Sequence, residues 1–269
     1  MLIPSNGSID SVSYFSGIPS NFSIPRAYYL CYNYELNSDK TDIIGAYLFK
    51  WFNESLIEVT ERNAFIGHSS IITFKQVELP EDRDKTEKDL YRILYFIKGT
   101  GILDKNDFTV WAQQRSNFYF MKKWFDDVFS AERESLLSQG LIYSSENKSK
   151  NPFIGSYNDY IPSSDLNNEA IQLAGLQKYF KDHKLVSNIS SIDADLFGNY
   201  LIIAQLLGVA RGLRDDFNAV GLNLLDTSKL TSLSILFKYW LNLHELLHYH
   251  ESDEDRRRRE LDPFNLQDL

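Results

Sequence analysis

Apolar positions recur along this chain at two different periods, and the changes of period mark out its elements. Ser23, Ile24 and Pro25 open a short helix, with Ser23 as the cap and proline in the first turn. Thr41 and Asp42 start a second helix reaching about residue 55, with Ile44, Tyr47 or Leu48, Trp51 and Phe52 as its stripe. The period then shortens. Residues 56–60 and 71–77 alternate and are β-branched, and Asn63, Gly67 and His68 lie between them, which predicts a β-hairpin. Pro80 and Glu81 begin an acidic helical turn, and Leu90, Ile93, Leu94 and Ile97 carry that helix to Gly99. A short helix over 105–113 and a long one over 116–139 follow, the latter stopped by Gly140 before a short strand at 141–144. Residues 148–164 are polar and turn-rich and predict a loop. Beyond them the pattern is helical throughout, over about 165–182, 193–214 and 228–250.

Helix, helix, hairpin is the outline of a small winged-helix unit, and the pattern recurs once without sequence repetition. The expected fold class is therefore mainly α (α+β). It comprises two winged-helix-like units with small β-hairpins, at 23–78 and 79–147, followed by a helical C-terminal subdomain at 165–250. An extended arm at 1–22, the loop at 148–164 and a charged tail at 251–269 complete the division. The 269 residues, 43% apolar and 14% aromatic, suffice for packed cores.

Three strings resemble one known family. Residues 174–182, AGLQKYFKD, resemble a GL-x-x-YL-x-D helix. Residues 196–210, LFGNYLIIAQLLGVA, resemble an LW-x-x-YL-x-x-A-x-x-LG-V-A helix. Upstream, Asp42 to Leu48 and Leu56 to Val59 resemble a third segment, and Leu141-Ile142 stands where relatives have GYF. Together these are similar to the cytoplasmic C-terminal region of the domain of unknown function 2207 family, the YciQ-like predicted bacterial membrane proteins. The resemblance implies a place at the cytoplasmic face of the bacterial cell membrane, with membrane association through segments absent from this chain. It leaves open whether this is an excised part or a soluble variant. The run 196–210 is apolar but shorter than a membrane span and carries Asn199 and Gln205, so it reads as a central buried helix. The first ten residues lack the basic and apolar regions of a signal peptide.

Charge narrows the function classes. A formal net charge of −9 argues against nonspecific nucleic-acid or anionic-lipid binding. The single Cys31 excludes an intrachain disulfide and fits a small buried apolar role. The sharpest chemical motif is His244-Glu245-Leu246-Leu247-His248, in which two imidazoles four apart share a helix face and the glutamate could act on a metal-bound water. His250 and the acidic tail offer further ligands. Against this, His244 and His248 extend the Leu233, Phe237, Leu241 stripe, where partly buried histidines near a helix end need no metal. We therefore assign no catalytic, cofactor-binding or metal residues, and no cofactor.

A winged helix also raises DNA binding, with 42–55 as recognition helix and Arg62 and His68 on the wing. Asp42, Glu54 and Glu61 interrupt any basic stripe there, and Asp126, Asp127, Glu132 and Glu134 offset Arg115, Lys122, Lys123 and Arg133 on the long helix. Asp126-Asp127 and Asp215-Asp216 are adjacent and point to different faces, which suits no acid/base pair. Arg256 to Arg259 sit among acids in a run of both signs. The aromatics Phe118, Tyr119, Phe120 and Trp124 read as core, any exposed subset marking a partner surface. The expected function is a non-enzymatic interaction module with a protein partner and no nucleic acid. The alternatives are a zinc metalloenzyme using His244 and His248, and a DNA-binding winged helix.

Overall fold

A computed structural model describes residues 12–63, 68–148, 156–182, 193–241 and 243–244. Among these the protein is mainly helical with small antiparallel β-hairpins, so the expected mainly α (α+β) class holds. The elements in chain order are α1 (Ile24–Asn33), α2 (Asp42–Asn53), β1 (Ile57–Asn63), β2 (His68–Phe74), α3 (Lys85–Phe96), β3 (Ile102–Asp104), α4 (Lys105–Ala112), α5 (Arg115–Ser138), β4 (Ile142–Lys148), β5 (Ser156–Pro162), α6 (Ser164–Asp182), α7 (Ala194–Leu206), a 3-10 turn (Ala210–Leu213) and α8 (Arg214–Leu224). A last helix, α9, is described over residues 227–241.

The chain divides into two compact units, Met1–Asn53 with Phe125–Leu230, and Glu54–Trp124 with Thr231–Leu269. This differs from the expected division at 23–78 and 79–147. The cut at Asn53 separates two helices from the hairpin that was expected to complete their winged helix. Ten of the twelve residues of α2 are buried, and α2 packs on α1 and α7. The hairpin instead gains a third strand from a later segment.

In the first unit α7 is the centre. It is apolar on most sides, nine of its thirteen residues are buried, and it packs on α1, α2 and α8. The expected single helix over 193–214 ends at residue 206. Gly208 follows at φ +69, a left-handed conformation that side chains with a Cβ resist, and the chain continues as the 3-10 turn and α8. The exposed carbonyls at this break are met from within the protein. Gln177 Nε2 donates to Leu207 O at 2.9 Å and to Leu36 O at 2.8 Å, while Asn37 Nδ2 donates to Leu206 O at 2.9 Å. The buried Asp42 carboxylate holds both neighbours of these groups, accepting from Asn37 Nδ2 at 2.7 Å and from Gln205 Nε2.

A second buried polar node ties three helices. Arg26 of α1 lies between Glu132 of α5, at 3.2 Å, and Glu169 of α6, at 3.6 Å, and its guanidinium donates to Gln139 at 2.6 Å. All three charged side chains are about nine-tenths buried. Of the expected arm, residues 12–22 are described; they form no helix or strand, turn at Pro19–Phe22, and are tied to α6 and α7. Lys178 Nζ donates to Val12 O, Tyr14 OH to Asp182 at 2.9 Å, and Tyr200 OH to Ser16 O. Gly175 permits this close approach, since a Cβ there would meet Ser13 O at 2.6 Å.

In the second unit the sheet order is β1-β2-β3. The expected hairpin forms, but its strands reach further into the turn, with Asn63 opposite His68 and Ile57 opposite Phe74, and β2 ends at Phe74 rather than Val77; β3 adds Leu103 opposite Ile72. That register aligns Val59, Ile72 and Leu103 in one buried row. β3 is only three residues long, too short to show a period in the sequence. α3 starts at Lys85, five residues after the expected Pro80, because Asp84 caps it by accepting from Thr86 N and Glu87 N. An Asp104–Asp107 capping box starts α4.

Two expectations follow. Arg26→Ala leaves two buried carboxylates without their cation and should lower unfolding free energy by roughly 3–5 kcal/mol, read by urea denaturation. Burial pushes Tyr29, Tyr34 and Tyr200 up to about 12, in Tyr29 against the pull of Arg133. An unfolded tyrosine ionises near 10, so the folded state holds these protons longer. The stability they contribute is full below pH ~10 and is lost as pH rises towards 12. A phenolate absorbance titration should show these phenols ionising together with alkaline unfolding, not ahead of it.

Candidate functional site

One surface that offers exposed apolar side chains is a β-hairpin that follows the long helix α5. α5 ends in a reversed pair of hydrogen bonds, Gly140 N to Leu137 O and Leu141 N to Leu136 O, and the next residue begins β4. Within the expected loop at 148–164, residues 156–162 form β5, which pairs with β4 along its whole length, and residues 149–155 lie outside the described residues. The polar composition of β5 concealed it: a two-stranded ribbon buries only part of one face, so pairing rather than an apolar run defines it. On the packed face lie Ile142, which is buried, and the half-buried Tyr160, whose ring carries the Arg133 guanidinium at 5.4 Å. Strand alternation turns their neighbours outward. Tyr143 and Ile161 sit directly opposite each other and are 57% and 54% exposed. Cross-strand partners share a face, so these two side chains form one continuous apolar surface.

The second unit has exposed apolar side chains of its own. Phe96, Ile102, Val110, Tyr119 and Phe120 are exposed across the end of α3, β3, α4 and the start of α5. The aromatics of α5 thus split. Trp124 is buried, with its indole donating to Thr86 O at 2.9 Å, whereas Tyr119 and Phe120 are not core residues as expected. The side chain of Phe118 lies outside the described residues.

Of the metal motif, only His244 lies within the described residues. It is half-buried, and its ring meets Trp240 edge-on at 5.6 Å. Glu245, His248 and His250 fall outside them, as do the charged tail and its arginines. Within either unit taken by itself, the described residues bring no three of His, Cys, Asp and Glu to within ligand distance of one another. Cys31 is buried as expected, and burial, with the nearby Asp42 charge, pushes its thiol up and away from reactivity.

The expected recognition helix cannot enter a groove, since α2 is buried along nearly its whole length. Arg62 on the expected wing is exposed, the His68 side chain lies outside the described residues, and Glu61 is paired with Lys238 at 3.2 Å. Lys122 and Lys123 are exposed on α5 beside the equally exposed Asp126 and Asp127. Asp215 is exposed and Asp216 half-buried at the start of α8.

No helix among the described residues is long and apolar enough to cross a membrane. Comparison with known proteins gives no match: no family model, no curated protein and no solved structure is similar to this chain. The family resemblance accordingly rests on the residue strings alone, which lie mainly on α2, α6 and α7.

Sequence reading missed Ile161 as a site residue because it stands in a segment rich in Asn, Pro and Ser. The usable signal was the spacing of Tyr157, Tyr160 and Ile161 opposite a strand already expected at Leu141. The His244 ring is held edge-on against Trp240, a packing contact that a structural histidine can make without a metal, and zinc is expected to be unnecessary to the fold. Chelator treatment is expected to leave the thermal midpoint of the purified chain unchanged, with zinc well below one equivalent by elemental analysis. A His244→Ala variant that alone released stoichiometric zinc would reverse that expectation.

Proposed function

We propose that the protein is a non-enzymatic protein-docking module, acting at the cytoplasmic face of a bacterial membrane protein as the family resemblance implies. The observation that carries the docking reading is the Tyr143–Ile161 pair, two large apolar side chains turned to solvent on one face of the β4–β5 pair. Tyrosine is favoured at protein interfaces because its ring buries area while its hydroxyl keeps a polar contact. The acidic net charge and the burial of α2 weigh against DNA as the partner. The membrane setting is supported by the residue strings on α2, α6 and α7 alone.

The test is photo-crosslinking in the native host, with a benzophenone amino acid placed at 143, at 161 or, as control, at the exposed Lys122 of α5. Discrete adducts are expected from 143 and 161 and not from 122. Tyr143→Ser with Ile161→Ser should abolish the partner's capture while shifting stability by no more than about 0.5 kcal/mol per site, as exposed substitutions do. Equal, diffuse labelling at all three positions would end the docking reading of this hairpin.

A further inference from the structure

The β4–β5 ribbon has two edges, and they are not equivalent. Ser163 N donates to Leu141 O at 2.8 Å, which makes residues 141 and 163 a hydrogen-bonded pair. Bonded and non-bonded pairs alternate along an antiparallel ladder, so the register makes Tyr143 with Ile161, Ser145 with Asp159 and Asn147 with Tyr157 the bonded pairs. The N–H and C=O groups of Ser144, Glu146 and Lys148 therefore point away from β5, and those of Tyr160 and the C=O of Pro162 point away from β4. The β5 edge is blunted. Pro162 stands in its outer row with no N–H to give, and Tyr160 is half-buried beneath the Arg133 guanidinium. The β4 edge is not. It has no proline, and Tyr143 and Ser144, successive residues on opposite faces, are both exposed. Among the described residues no third strand joins this sheet.

We infer that the β4 edge takes a third strand from the docking partner, an extended segment with β-branched or aromatic residues at alternate positions. The inference rests on the docking reading and names the form of the partner. A helix spends its backbone donors and acceptors on itself, whereas an extended chain presents both at every second residue, in the spacing that Ser144, Glu146 and Lys148 present. The residue that such a strand places opposite Tyr143 shares the face of Tyr143 and Ile161. Cross-strand packing then lengthens that apolar row from two side chains to three. Main-chain bonds supply the affinity and the apolar row supplies the sequence preference. A two-stranded ribbon is marginal by itself and gains from the addition.

The probe is a phage-displayed library of random peptides long enough to span β4, panned on the full chain. Enriched peptides should alternate apolar and polar residues. A synthetic copy should slow amide exchange at Ser144 and Glu146 by at least about tenfold, and more than at Tyr143 and Ser145, which already bond across the ribbon. Ser144→Pro removes an outward donor without removing a β4–β5 bond, and should weaken the peptide at least about tenfold with an unchanged thermal midpoint. If that variant does not fold, the exchange pattern of the unaltered chain decides. The inference is overturned if no peptide is enriched, if Ser144 and Glu146 gain no protection, if Ser144→Pro binds equally well, or if the chain alone dimerises through β4. Peptides lost with Tyr143→Ser and Ile161→Ser but kept with Ser144→Pro would remove strand addition and leave docking standing. Diffuse crosslinking at 143 and 161 would remove docking itself.

Discussion

A helix that is apolar on most sides must be surrounded, and its last carbonyls must find donors inside the protein rather than in water. α7 sets both demands, and much of the first unit answers them. α1, α2 and α8 supply the surrounding surface. Gln177 from α6 and Asn37 from the segment before α2 supply the donors. Asp42 in turn orients Asn37 and Gln205, so a charge in the first turn of α2 helps to secure the far end of α7. The Arg26 node repeats this logic at a distance, tying α1 to α5 and α6 through groups that cannot be hydrated. Buried polar contacts of this kind add little net stability when complete and cost much when broken. Their effect is to select one arrangement of helices among the many that would bury the same apolar area.

Part of this was legible in the sequence. The helical stripes, the Ser23 cap, the first hairpin and the central position of residues 196–210 follow from local periodicity and capping. What was not legible depends on partners distant in the chain. β3 is three residues and exists because β2 has a free edge beside it. β5 is polar and exists because β4 pairs with it. The boundary at Asn53 arises because α2 buries both its faces within the first unit, whereas the hairpin that follows it joins β3. Local pattern gave a winged-helix outline twice, but outline and grouping are separate properties, and only packing decides the second.

The same distinction applies to the site. The His244 motif was conspicuous because spacing alone defines it, and of its members the structure describes only His244, packed against Trp240. Tyr143 and Ile161 were inconspicuous because they are eighteen positions apart and become one surface only through register. Tyr119 and Phe120 show the converse: they extend an aromatic run that looks like core, but consecutive helix positions point in different directions, and the face holding Trp124 is the one that is buried.

The docking reading draws on the open hairpin surface and not on the ionisable groups of the core. Catalysis by side chains needs groups whose ionisation is tuned towards neutral pH and which are open to substrate. Here the resolved shifts run the other way: burial drives Cys31, Tyr29, Tyr34 and Tyr200 further from neutrality, inside a packed helical core. The hairpin surface is open but has no titratable group apart from the phenol of Tyr143 among its described outward side chains. A surface of that character can bury area against another protein, and a partner that desolvates Tyr143 and Ile161 gains from the hydrophobic effect without altering the core that holds them.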